Sequence, residues 1–177
     1  MQIGKEILYL TEQDTMRVSV TMKEYIDALE EGFLAKGQGR VQMPHKVGAD
    51  PDAFSIVHAM PCYIQTNGRL GMKWLSVYRK NPEIGMPYLS GLIVLNDAKT
   101  GFPICVMNCT HVTGMRTGAV NGLFCRHLAN KDSKVVSVLG CGLEGRTNLE
   151  AVLCEVPGVE KVYAWAPRAP KVHAYCE

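Results

Sequence analysis

Between Thr21 and Gly39 the apolar residues fall at helical spacing. Met22, Ile26, Leu29 and Phe33 make one stripe, and Lys23, Glu24, Asp27, Glu30 and Glu31 point away from it. Thr21 and Glu24 form a capping box at the start, and Gly37 and Gly39 stop the helix. The pattern predicts a packed surface helix without chemistry of its own. Ile7 to Leu10 precedes it as a short strand, followed by a polar turn. From Arg40 to Met107 the period changes to short strands and turns. Phe54 to Met60 and Cys62 to Gln65 lead into an Asn67-Gly68 hairpin signal, and Met72 to Tyr78 returns. A polar, proline-bearing loop (Arg79 to Pro87), Tyr88 to Leu95, the turn Asn96 to Gly101 and Phe102 to Met107 follow. Successive hairpins of this kind make an antiparallel sheet, and with the preceding helix an α+β domain.

The second half of the chain reads differently. His111 to Asn130 is a predicted helix with Gly114, Gly118 and Gly122 four apart on one face, each costing about 1 kcal/mol of helix stability relative to alanine. Such a face permits close approach of another backbone or of a flat ligand. Arg116 is expected in the first turn, where the helix dipole disfavours a cation and an anionic partner would compensate. Lys134 to Gly145, KVVSVLGCGLEG, then has the form of a strand, a tight turn and a helix start. This is the dinucleotide fingerprint in its expected context. Gly140 permits the turn, Gly142 lets the backbone approach a pyrophosphate, and Gly145 lets the helix pack on the strand. Unpaired N–H groups at the helix start would receive the phosphate charge. In the earlier sheet Lys73 alternates with Met72 and Trp74, so that both faces look at least half buried. A lysine in that setting either snorkels to solvent or is kept for an anion or for proton transfer.

Composition narrows the picture without redirecting it. With 177 residues, 47% hydrophobic and 20% charged, the chain can hold one domain, or one domain and part of another. A net charge of +2 without long basic runs gives no electrostatic case for nucleic acid or for a membrane surface. The opening MQIGKEILYLTEQD lacks the apolar core of a signal peptide, and no stretch is apolar for long enough to span a bilayer, so a cytoplasmic protein is expected. The seven cysteines are odd in number and include no CxxC pair, and the five histidines are dispersed. Buried free thiols and no metal site are expected.

Five segments carry a family resemblance: GRVQMP (39–44), GMKW (71–74), LSGLIVLNDAKTGFP (89–103), TGMRTGA (113–119) and VLGCGLEG (138–145). In order and spacing the chain resembles the ornithine cyclodeaminase/mu-crystallin family over nearly its whole length. The resemblance implies an α+β substrate-binding and dimerisation domain at residues 1–112, with an antiparallel sheet. Residues 113–177 would then be a connecting helix and the first part of an α/β Rossmann domain for NAD or NADP. It also implies a homodimer acting on a small amino or imino acid, as a cyclodeaminase, amino acid dehydrogenase or imine reductase.

By position within these motifs, Arg40, Lys73 and Arg116 match the family's substrate-carboxylate contacts, with Lys73 also the candidate for proton transfer. Ser90, Arg116 and Thr117 fall near the nicotinamide, and Gly140, Gly142, Leu143, Glu144 and Gly145 at the pyrophosphate. Two departures bear on the cofactor. Glu144 replaces the glutamine common in the family and sets a carboxylate beside phosphates. Ala166 stands where an NAD binder has an acid for the ribose hydroxyls, with Arg168 close behind, which tilts the expectation toward NADP. The sequence ends at Glu177, where the family continues through the rest of the Rossmann domain. It is therefore expected to be a partial member that does not turn over alone. The alternative is a non-catalytic remnant, a crystallin-like binding or dimerising protein.

Overall fold

The structure is a computed structural model that describes residues 2–177. The contacts divide it into two compact units. The first holds residues 2–19 and 32–111, the second Val20–Glu31 and Val112–Glu177. Among the described residues no helix is long and apolar enough to cross a membrane.

In the first unit β1 (Leu8–Leu10) leads into helix α1 (Glu12–Arg17). Thr11 and Asp14 make a full capping box there, so the expected polar turn is a helix. Helix α2 (Met22–Gly37), whose residues 22–31 belong to the second unit, follows and is opened by the expected box: Glu24 Oε2 accepts from the Thr21 N–H at 2.8 Å and Thr21 Oγ1 from the Glu24 N–H at 3.3 Å. Its apolar stripe splits, because Met22 and Ile26 are buried whereas Phe33 stays 48% exposed. Then come β2 (Val41–Gln42), β3 (Val47–Asp52), β4 (Ser55–Ile64) and β5 (Arg69–Tyr78), a short 3-10 turn at Asn81–Ile84, β6 (Leu89–Asn96) and β7 (Pro103–Asn108).

These strands form one sheet in the order β1-β7-β6-β5-β4-β2, with β3 paired to the same strand β4. The hairpins are antiparallel as expected, but β1 pairs β7 in parallel, Leu8 opposite Cys105 and Leu10 opposite Met107. The two segments predicted around Pro61 are one strand, since β5 pairs with β4 without interruption from Ser55 to Ile64. Among the described residues, Leu75, Cys105 and Cys109 are the buried hydrophobic residues of this sheet region, joined by the buried Ser55 of β4.

The second unit contains α3 (Thr110–Leu128), β8 (Val135–Leu139), α4 (Leu143–Glu155), β9 (Lys161–Trp165) and α5 (Ala169–Cys176). Strands β8 and β9 pair in parallel, Val135 with Lys161 through Leu139 with Trp165. The core is Met22 and Ile26 from α2, Met115, Ala119 and Leu123 from α3, and Ala151 from α4. That packing is why Val20–Glu31 joins residues far along the chain: its stripe is covered by α3 and α4.

Candidate functional site

The turn between β8 and α4 is built by its glycines. Gly140 has φ of +113°, a conformation other residues seldom adopt, and its N–H donates to the Trp165 carbonyl at 2.8 Å. Gly142 is the N-cap of α4 in extended conformation and offers no side-chain cap. The first internal bond of the helix runs from the Arg146 N–H to the Gly142 carbonyl at 3.1 Å. The N–H groups of Leu143, Glu144 and Gly145 therefore lack an intrahelical acceptor. Added Cβ atoms at Gly140 and Gly142 would meet nothing within 4 Å, whereas one at Gly145 would overlap the Gly140 carbonyl. Open space over the first two glycines, a forced third glycine and unspent N–H donors fit the pyrophosphate of a dinucleotide. Leu143 and Glu144 are exposed at this mouth. The Glu144 carbonyl accepts from Asn148 Nδ2 at 2.6 Å and from Thr147 Oγ1 at 3.2 Å.

After β9, Ala166 is half-buried, and the exposed Arg168 is the N-cap of α5 without a side-chain capping bond. The far end of α5 returns to the glycine turn. Tyr175, buried at 9% exposure, donates its hydroxyl to the Gly145 carbonyl at 2.9 Å. Arg146 lies 5.0 Å from the Tyr175 ring centroid and donates to the Ala174 carbonyl. Burial pushes the Tyr175 hydroxyl up from its usual value, so it is a proton donor at neutral pH. No motif marks Tyr175 in the sequence, because it is a lone aromatic in an eight-residue helix.

The glycine face of α3 meets protein. A Cβ at Gly114 would press on the Leu143 side chain, one at Gly118 on the Thr147 backbone, and one at Gly122 on Ile26 and Ala151. Of the two uses open to that face, close backbone approach is the one the fold makes. Thr117 Oγ1 donates back to the Thr113 carbonyl at 2.7 Å. Thr113 Oγ1 is buried without a hydrogen-bond partner among the described residues. Arg116 is exposed, and because α3 begins at Thr110 it lies in the second turn. The helix dipole therefore calls for no anion at Arg116, since its effect fades beyond the first turn.

The other two candidate cations belong to the first unit. Arg40 is exposed in the link from α2 to β2, and its carbonyl accepts from the Gln65 N–H at 3.0 Å. Lys73 is half-buried in β5, opposite Met60 and Ile93. Met60 and Gln65 are about 17 Å apart along extended chain. The backbones of the two cations are thus well separated along this sheet edge, and a shared ligand would be reached by their long side chains. Ser90 pairs with Ser76, so alternation puts it on the opposite face of the sheet from Lys73.

A cluster that the sequence did not announce sits in the second unit. Arg126 Nη2 reaches Glu155 at 2.6 Å and Asp27 at 2.7 Å, and its Nη1 reaches Glu30 at 2.6 Å. His127 Nε2 meets the other Glu30 oxygen at 2.6 Å. Asp27 and Glu30 thus do not simply face solvent.

A family model described as ornithine cyclodeaminase/mu-crystallin family matches residues 7–176. An alanine dehydrogenase of Archaeoglobus fulgidus is 37% identical over 97% of this chain and 53% of its own length. The Delta(1)-pyrroline-2-carboxylate reductase of Thermococcus litoralis, solved with NADH and L-proline, superposes with a TM-score of 0.90 at 34% identity, over 96% of this chain and 52% of that one. An archaeal alanine dehydrogenase dimer with bound NAD gives 0.88 at 33% identity, over 96% and 51%. The chain spans about half the length of the curated relatives it matches.

Proposed function

The chain belongs to the ornithine cyclodeaminase/mu-crystallin family, and from that premise we propose that the whole protein is a nicotinamide-dependent enzyme of amino or imino acids. It would move a hydride between the cofactor and the substrate α-carbon. The observation that carries this reading is the β8–α4 turn, with Gly140 at positive φ, open space above Gly140 and Gly142, and unspent N–H groups at 143–145. The similar reductase holds NADH with L-proline, and the similar alanine dehydrogenase holds NAD.

The nicotinamide, when bound, supplies the hydride acceptor or donor. Arg40 and Arg116 bind the substrate carboxylate, since each guanidinium offers a planar fork of N–H donors matched to its two oxygens. Lys73 adds a third positive charge that holds the carboxylate, or passes a proton at its Nζ. Thr117 contributes a hydroxyl on the cofactor side. Arg168, with Ala166 in the place of an acid, favours the 2′-phosphorylated dinucleotide.

The protein acts as a homodimer in the cytoplasm. The sheet face that carries Tyr9, Trp74 and Leu92 leaves these side chains 63%, 46% and 36% exposed, and a second copy would cover them. Seven cysteines with no CxxC pair suit a reducing compartment.

The full-length protein tests the reading by fluorescence titration with NADH and NADPH, followed by a screen of ornithine, lysine, proline, alanine and cyclic imines. Saturable binding, tighter for NADPH, and turnover of one substrate class are expected. Absence of dinucleotide binding overturns the reading, and tighter NADH binding overturns the assignment of Arg168.

A further inference from the structure

The phosphate-binding turn is loose by composition. Three glycines within six residues leave the backbone little intrinsic preference, and holding it in one conformation costs entropy. Gly145 cannot carry a side chain to brace the turn, because its Cα faces the Gly140 carbonyl. The brace comes from α5 instead. Tyr175 reaches back to the Gly145 carbonyl, and Arg146 closes over the tyrosine ring while donating to Ala174. The same α5 carries Arg168 at its other end.

Resting on the nucleotide reading above, we propose that Tyr175 is a positioning residue for the dinucleotide, its hydroxyl fixing the glycine turn and tying it to the helix that presents Arg168. With the bond in place, the N–H groups of residues 143–145 are aimed before the ligand arrives. Without it, the ligand must order them on binding, and affinity falls while the reacting end is untouched.

The test uses the full-length protein and Tyr175→Phe, which keeps the ring and removes only the hydroxyl. In the absence of nucleotide, amide hydrogen exchange across residues 140–146 is expected to quicken about fivefold, the loss of one ordinary hydrogen bond. The dissociation constant of NADPH or NADH is expected to rise about three- to tenfold, with kcat at saturating dinucleotide within twofold and the amino-acid KM unchanged. Unchanged exchange in the turn overturns the proposal, and so does a fall in kcat with unchanged dinucleotide affinity. If Tyr175→Phe fails to fold, Arg146→Met loosens α5 from the other side and must give the same split; no change in either readout overturns the proposal. A wild-type protein that binds no dinucleotide defeats the nucleotide reading instead, and the exchange measurement still decides whether the hydroxyl holds the turn.

Discussion

Gly118 of α3 lies against the backbone of Thr147 in α4 so closely that a Cβ would overlap the Thr147 carbonyl. Gly114 against Leu143 and Gly122 against Ala151 repeat the contact one turn to either side, so both helices meet at a four-residue period. A backbone carbonyl cannot rotate away as a side chain can. Gly118→Ala should therefore destabilise the fold by about 1–3 kcal/mol of overpacking, in spite of the roughly 1 kcal/mol that alanine contributes to an isolated helix. Gly32 in α2 is the control, because nothing lies within 4 Å of its Cβ position, and Gly32→Ala should stabilise by up to about 1 kcal/mol. Urea denaturation of the two variants reads the opposite signs.

Arg126 joins Asp27 and Glu30 of α2 to Glu155 of α4, with side-chain exposures of 18% for the arginine and 12% for Glu155. Arg126→Met leaves Glu155 nearly buried and unpaired, so a loss of about 2 kcal/mol is expected. The hydrogen bonds from Arg126, helped by Lys23 and His127, hold Asp27 and Glu30 below their ordinary values of 3.8 and 4.5. Depressed carboxylates contribute stability that is fully present above those ordinary values and is lost as pH falls through the folded ones. The thermal midpoint of the wild type should therefore drop below about pH 4.5, and the Arg126→Met midpoint should drop less steeply. Equal slopes between pH 5 and pH 3 would show that the network does not set the acid limit.

What the sequence made legible follows from how local the signal is. The Thr21 capping box, the Asn67-Gly68 hairpin and the Gly140–Gly145 turn are each written in a few adjacent residues, and each is found where expected. Thr11 and Asp14 carry the same local signal for α1, which the polar composition of that stretch concealed. Strand β3, exposed along its length, alternates no apolar face and gives periodicity nothing to detect. Helical spacing gave α2 its stripe, but only tertiary packing decides that Ile26 is buried and Phe33 is not. At the site, Gly140 and Gly145 were readable because backbone geometry demands them. Tyr175 and Arg126 were not, because each acts on residues about thirty or more positions away.

Glu144 is exposed at the mouth of the glycine turn, one residue from Gly145. As the second residue of α4 its carboxylate is favourable to the helix end, and it competes there with an incoming phosphate for the same positive potential. Glu144→Gln removes that competition. Dinucleotide affinity of the full-length protein should rise about two- to fivefold, with the gain shrinking as salt is added because the charge is exposed. Titrations at low and high ionic strength check this, and a salt-independent gain would point to a change in packing.

Arg40, Lys73 and Arg116 are drawn from three separate elements, and the proposed activity requires all three to meet one carboxylate in the full-length protein. Charges that share a ligand do not act independently, so their removal should be less than additive. Arg40→Met and Arg116→Met are each expected to raise the substrate KM by about tenfold or more, and the double variant by less than the product of the two. Lys73→Met should lower kcat as well, because a lysine that moves a proton acts in the chemical step and a lysine that only binds does not. Additive losses from the two arginines would place them on different parts of the substrate. A Lys73→Met enzyme with altered KM alone would assign the lysine to binding and leave proton transfer to a group outside these residues.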